Sequence, residues 1–83
     1  MATALYDLPE DTWVSIANAA EKVTVQLRSP VNVLLQTKAT QPADNIGMEL
    51  SLAFLPVFGW DSVSLELWAK SPVGASKISV ETG

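Results

Sequence analysis

Apolar and polar residues alternate with a period of two along much of this chain. In residues 23–28, Val23, Val25 and Leu27 share one face while Thr24, Gln26 and Arg28 share the other. That is the signature of a strand buried on one side. Residues 31–37 repeat it with Val31, Val33 and Leu35, and residues 48–54 with Met48, Leu50, Leu52 and Phe54. Val63, Leu65 and Leu67 point inward from 62–69, as do Ile78 and Val80 from 76–82. Trp13 to Ile16 reads as a short strand because aromatic and β-branched side chains fit a pleated surface. Five or six short strands separated by turns predict an all-β fold, a small antiparallel β-sandwich or barrel. Residues 1–12 contain Pro9 and show no periodicity, so they read as an irregular N-terminal arm ahead of a single β domain, 13–83. A helix starting at Asp11 or Thr12 is the alternative there. A turn is expected over residues 18–22, with a single helical turn as the other reading.

The connections can be tested by register. A two-residue loop at Ser29-Pro30 would set Val33 opposite Gln26 and mix the two faces. A three-residue loop matches the faces but needs a left-handed residue at its last position, which Pro30 cannot adopt. The chain is therefore expected to take a wider loop or an arch between two sheets. Residues 40–47, Thr-Gln-Pro-Ala-Asp-Asn-Ile-Gly, form the clearest loop. Pro56 and Gly59 interrupt any ladder in residues 55–61. After Lys70 to Ala75 turns the chain, a hairpin pairing Ala69 with Ser76 would set Leu67 opposite Ile78 and Leu65 opposite Val80. It would also bring Trp68 beside Lys77 on the outer face, a modest cation–π contact of about 0.5–1 kcal/mol.

The alternation leaves too many apolar residues on the wrong side. Leu34 and Trp68 occupy outward phases, and the run from Leu50 to Trp60 is apolar almost throughout. Ordering costs on the order of 1.5 kcal/mol per residue, so the small core of an 83-residue chain comes out near break-even. Disulfides and thiolate metal sites are excluded because there is no cysteine. Partner subunits are the remaining staple.

Charge and chemistry narrow the function further. Nine acidic residues against five basic ones give a net charge of -4. The cations Lys22, Arg28, Lys38, Lys70 and Lys77 are spread singly, so no basic patch for nucleic acid exists. No apolar run approaches the roughly 18 residues a membrane span needs. The N-terminus carries no basic, apolar leader, so the expectation is a protein made and kept in the cytosol or built into something assembled there. Histidine is absent, which removes the commonest general base and metal ligand. Carboxylates are scattered without the opposed pair of a glycosidase, and Ser71 beside Lys70 is adjacency on a strand rather than a nucleophile and its base. Isolated glycines form no phosphate loop. Asp44 to Gly47 lacks the oxygen ligands of a calcium loop and reads as an Asx-type turn. No catalytic residue, cofactor or metal is expected. Trp13, Trp60 and Trp68 admit three readings: plain core with the outer face covered by the chain's own arm, an oligomer or capsid contact, or a sugar-stacking platform. The expected interface comprises Leu5, Tyr6 and Leu8 of the arm, Leu34 and Trp68 of the outer faces, and Phe54, Leu55, Val57, Phe58 and Trp60.

Residues 23–80 also carry a pattern that resembles small virion proteins of tailed bacteriophages. The matching segments are Val23-Thr-Val-Gln-Leu27 and Val31-Asn-Val-Leu-Leu35, then Gln41-Pro-Ala-Asp-Asn-Ile-Gly47. The ending matches in Leu67-Trp-Ala-Lys-Ser71 and Gly74-Ala-Ser-Lys-Ile-Ser-Val80. The resemblance implies a compact β module on a virion surface, often trimeric, serving as capsid decoration or cement protein or as part of a head fibre or tail. A homotrimer docked on the major capsid protein or other virion subunits follows as the expectation, with a carbohydrate- or receptor-binding module as the alternative. The chain departs from the pattern in its apolar segment 54–60, which favours a firm protein–protein contact.

Overall fold

The computed structural model describes residues 2–19, 22–44 and 46–82, with the backbone alone for Ala2. Ala20 and Glu21 of the turn expected after Asn18, Asn45 of the long loop, and the ends of the arm and the domain at Met1 and Gly83 lie outside the described residues. Eight strands are present: β1 (Ala2–Leu8), β2 (Val14–Ala17), β3 (Val23–Leu27), β4 (Val33–Thr37), β5 (Met48–Leu50), β6 (Val57–Trp60), β7 (Leu67–Lys70) and β8 (Ser76–Thr82). They form two four-stranded antiparallel sheets, ordered β1-β8-β3-β6 and β2-β7-β4-β5. No helix occurs among the described residues. The all-β antiparallel class expected from the sequence is what the chain adopts, with eight strands instead of five or six.

The two additional strands are β1 and β6. Residues 2–8 are not an irregular arm. They pair with β8 along their whole length, from Ala2 opposite Thr82 to Leu8 opposite Ser76. Small Ala4 and outward Leu5 blur the alternation that Tyr6 and Leu8 would otherwise show. In β6, Pro56 sits just ahead of the strand, where its missing N–H costs nothing, and its carbonyl still accepts the Leu27 N–H at 2.8 Å. Gly59 is tolerated opposite Thr24 because β6 is an edge strand.

Of the wider loop and the arch expected at Pro30, the β3–β4 connection is the arch: β3 lies in the first sheet and β4 in the second. The expected β7–β8 hairpin does not form. Ala69 faces Val14 and Leu35 in the second sheet, whereas Ser76 faces Leu8 in the first. Trp68 consequently lies between Ser15 and Gln36, and Lys77 pairs with Asp7 on the other sheet. The cation–π contact belongs to a different pair, Lys70 with its ammonium 5.7 Å from the Trp13 ring centroid.

One core joins the inner faces of both sheets. Leu8, Val23, Val25, Leu27, Ile78 and Val80 come from the first, and Ile16, Val33, Leu35, Leu50, Leu67 and Ala69 from the second. The radius of gyration, 11.3 Å, matches the roughly 12 Å expected of a packed chain this long.

The outer faces differ. That of the second sheet is covered by the chain itself, because residues 38–44 and 46–47 fold back over it. Trp13 Nε1 donates to the Asp44 carbonyl at 2.8 Å, Gln36 Nε2 to the Ile46 carbonyl at 2.8 Å, and Trp68 Nε1 to the Lys38 carbonyl at 3.0 Å. Gln41 Nε2 donates to the Trp13 carbonyl at 2.9 Å. The expected Asx turn is present, with the Ile46 N–H on Asp44 Oδ1 at 3.3 Å. These ties leave Trp13, Leu34 and Lys70 buried. Among the described residues the first sheet has no such cover.

Candidate functional site

Because consecutive strands run in opposite directions, the β1–β2, β3–β4, β5–β6 and β7–β8 connections gather at one end of the molecule. Hydrogen bonds tie them together there. The Asp11 N–H donates to the Ser71 carbonyl at 2.7 Å, and Ser76 Oγ donates to the Val31 carbonyl at 2.9 Å. The carbonyl of Pro56 meets Leu27 at the start of the arch. Four of the five prolines, Pro9, Pro30, Pro56 and Pro72, fall in these connections. Each fixes one φ and lowers the entropy lost on ordering the loop.

Among the side chains this end presents to water, beside the polar Glu10, Asp11, Thr12 and Arg28, three are large and apolar. Ser51 and Leu55 exchange backbone hydrogen bonds of 3.0 and 2.9 Å, closing a turn around Leu52, Ala53 and Phe54. Ser51 Oγ caps it by accepting the Ala53 N–H at 3.3 Å. Phe54 is 90 % exposed and Leu52 49 %, and Val73 on the β7–β8 connection is 80 % exposed. A well-bonded turn thus holds a phenylalanine in solvent at this end, while Ile46, 67 % exposed, and Leu65, 44 % exposed, lie on the β4–β5 and β6–β7 connections. At the same end as Phe54 a groove of ≈ 580 Å³ runs along Leu8, Pro9 and Pro30, flanked by Asp7, Arg28 and Lys77.

Lys70 steadies the β1–β2 connection. Its ammonium is held 2.9 Å from Asp11 Oδ1, and Asp11 itself turns the chain at a φ of 58°, a conformation aspartate tolerates better than most residues. Ser71 is fully buried, with its hydroxyl bonded to the Gly74 carbonyl. Lys70 and Ser71 are thus engaged separately, in support of the loops.

The residues expected at an interface are not brought to one place. Phe54 stands at the loop end. Leu5, 74 % exposed, and Val57 lie on the open face of the first sheet among Thr3, Thr24, Gln26 and Ser79. Tyr6, Leu55, Phe58 and Trp60 are half-buried against the core, Trp60 meeting Phe58 edge-on at 4.8 Å. Trp68 is half-buried beside the returning loop. Leu8 and Leu34 are corrections: Leu8 sits in the core at 1 % exposure, and Leu34 is buried on the covered face. Leu8 is drawn in because β1 completes the sheet above the interior.

Sequence reasoning missed four exposed apolar residues, Leu52, Leu65, Val73 and, in the long loop, Ile46. Leu52 and Leu65 were expected to point inward, yet β5 ends at Leu50 and β7 begins only at Leu67, and of the residues expected inward between them Val63 is buried. Val73 stood inside a turn between Pro72 and Gly74, where strand periodicity carries no information about facing. Among the described residues no three potential metal ligands come together, and no helix is long and apolar enough to cross a membrane. No family model, curated protein or solved structure matches this chain.

Proposed function

We propose that this chain is a non-enzymatic structural protein of a phage virion, its two sheets packed as a β-sandwich, that decorates or cements the capsid. Docking uses the apolar loop end, with Phe54, Leu52 and Val73 set into a neighbouring subunit such as the major capsid protein. The single observation that carries the reading is Phe54, almost wholly exposed on a turn closed by paired backbone hydrogen bonds. Burying one such side chain contributes about 1.5–3 kcal/mol, and a lattice of identical contacts multiplies it through avidity. The placement in a virion rests on the resemblance of residues 23–80 to small phage surface proteins.

A glycan- or receptor-binding module would need Trp60 and Trp68 as open stacking platforms. Both are half-buried and one is edge-packed on Phe58, so docking through the loop end is preferred. The test is rebinding of purified protein to capsids stripped of it. Wild type binds, and Phe54→Ser folds normally but binds about 30-fold or more weakly. Undiminished binding by Phe54→Ser, or no affinity of the wild type for particles, refutes the proposal.

A further inference from the structure

The two sheets have four edge strands, and three of them are blunted. β5 has three residues, β6 has four with Gly59 inside and Pro56 before it, and β2 has four with a register shift between Ser15 and Ala17. Such short, interrupted edges are how sheets avoid joining one another. β1 is different. It runs for seven residues without proline, lysine or bulge, and its only neighbour is β8.

The phase of its free hydrogen-bonding groups follows from the ladder. The Arg28 N–H donates to the Lys77 carbonyl, so Lys77 directs its backbone groups toward β3. Alternation then turns Ile78 toward β1, and its partner Tyr6 toward β8. Thr3, Leu5 and Asp7 are left with their N–H and C=O groups along the open edge. The same three side chains lie on the uncovered outer face, where Leu5 is 74 % exposed.

We infer that β1 is a homodimerisation edge: two copies of this chain join through antiparallel β1–β1 pairing centred on Leu5. In antiparallel pairing, residues directly opposite each other share a face, which restricts the symmetric registers to those centred on a residue. Of these, only the one centred on Leu5 pairs all seven residues, from Ala2 opposite the partner's Leu8 to Leu8 opposite the partner's Ala2. It makes Leu5 and the partner's Leu5 a hydrogen-bonded pair, with Thr3 and the partner's Asp7 as another. All the free edge groups are thereby satisfied. Leu5 is covered by its counterpart, and Asp7 meets a threonine. Across the joined sheet one row reads Lys77, Asp7, the partner's Thr3 and the partner's Glu81, with no like charges adjacent. A register centred on Asp7 would instead oppose two aspartates. The inference is independent of the loop-end proposal, since β1 lies along the side of the molecule.

Sedimentation of the full chain across micromolar to high-micromolar concentration tests it. The expected species is a dimer, twice 8.9 kDa, in exchange with monomer. Leu5→Lys and Leu5→Glu each place like charges against themselves at the two-fold axis and weaken dimerisation at least tenfold. Mixing the two restores it, which a folding defect would not. Amide exchange at Leu5 and Asp7 slows with concentration, while Ala4 and Tyr6, bonded to β8, are protected throughout. Phe54→Ser, which disables the loop end, leaves the dimer intact. A monomer at all concentrations, a trimer, or a dimer indifferent to Leu5→Lys overturns the inference.

Discussion

Leu5 and Leu8 are three residues apart in a segment whose sequence shows no regular pattern, and substituting each by alanine separates the two accounts of that segment. If β1 is an integral strand, Leu8 is a core residue. Leu8→Ala removes three carbons from a site 1 % exposed, which costs about 2.4 kcal/mol at roughly 0.8 kcal/mol per buried carbon. The space left at that end of the core, beside Ser76 and near Ile78 and Leu27, adds a cavity term, bringing the total to about 3–4 kcal/mol. Leu5, by contrast, is 74 % exposed in the monomer, so Leu5→Ala should stay within about 0.5 kcal/mol. Urea unfolding followed by tryptophan fluorescence, in protein dilute enough that self-association contributes nothing, measures both. With a slope near 1 kcal/mol per molar urea, the Leu8 variant should unfold at a midpoint roughly 3 M lower and the Leu5 variant within about 0.5 M of wild type. Equal shifts, or a Leu8 loss below about 1 kcal/mol, would refute the docking of residues 2–8 as a strand over the core.

Other expectations follow from single contacts. Gly47→Ala brings a Cβ to 2.5 Å from the Leu35 carbonyl oxygen and should lower stability by about 1–3 kcal/mol. Gly74→Ala meets open space and should be neutral or stabilise by up to about 1 kcal/mol, so paired thermal melts must move apart. Trp13→Phe deletes the hydrogen bond to the Asp44 carbonyl, at a cost of about 1 kcal/mol. It should speed amide exchange in residues 38–47 before it affects Val23 or Ile78; uniform acceleration would show that the loop is not a separate cover. Ser51→Ala removes the hydroxyl that accepts the Ala53 N–H, and should loosen the Leu52–Phe54 turn by several-fold in local exchange while leaving global unfolding within about 0.5 kcal/mol.

Period-two alternation identified β3 outright, and its buried and exposed residues fall where Val23, Val25 and Leu27 predicted. Pro30 excluded a tight hairpin and left a wider loop or an arch, and the sheet order decided for the arch. Residues 70–75 offered no such veto: a six-residue connection permits a hairpin or a crossover, and Leu67 is inward in both. The false continuation through Leu52 and Phe54 has a related cause, since a turn can carry apolar residues at strand spacing without being a strand.

What the chain's own order of residues determined is therefore local: an all-β class, the inward face of most strands, the long polar loop and the lack of histidine and cysteine chemistry. Pairing was decided only by tertiary structure. Alternation states which face of a strand is apolar and is silent on which strand lies beside it, so the sheet assignment of β7 and β8, the enlistment of residues 2–8 and the exposure of Leu52 and Leu65 emerged only once the two sheets closed over a common core. The burial of Leu34 and Trp13 was decided the same way, by a loop whose return depends on hydrogen bonds between residues some 30 positions apart.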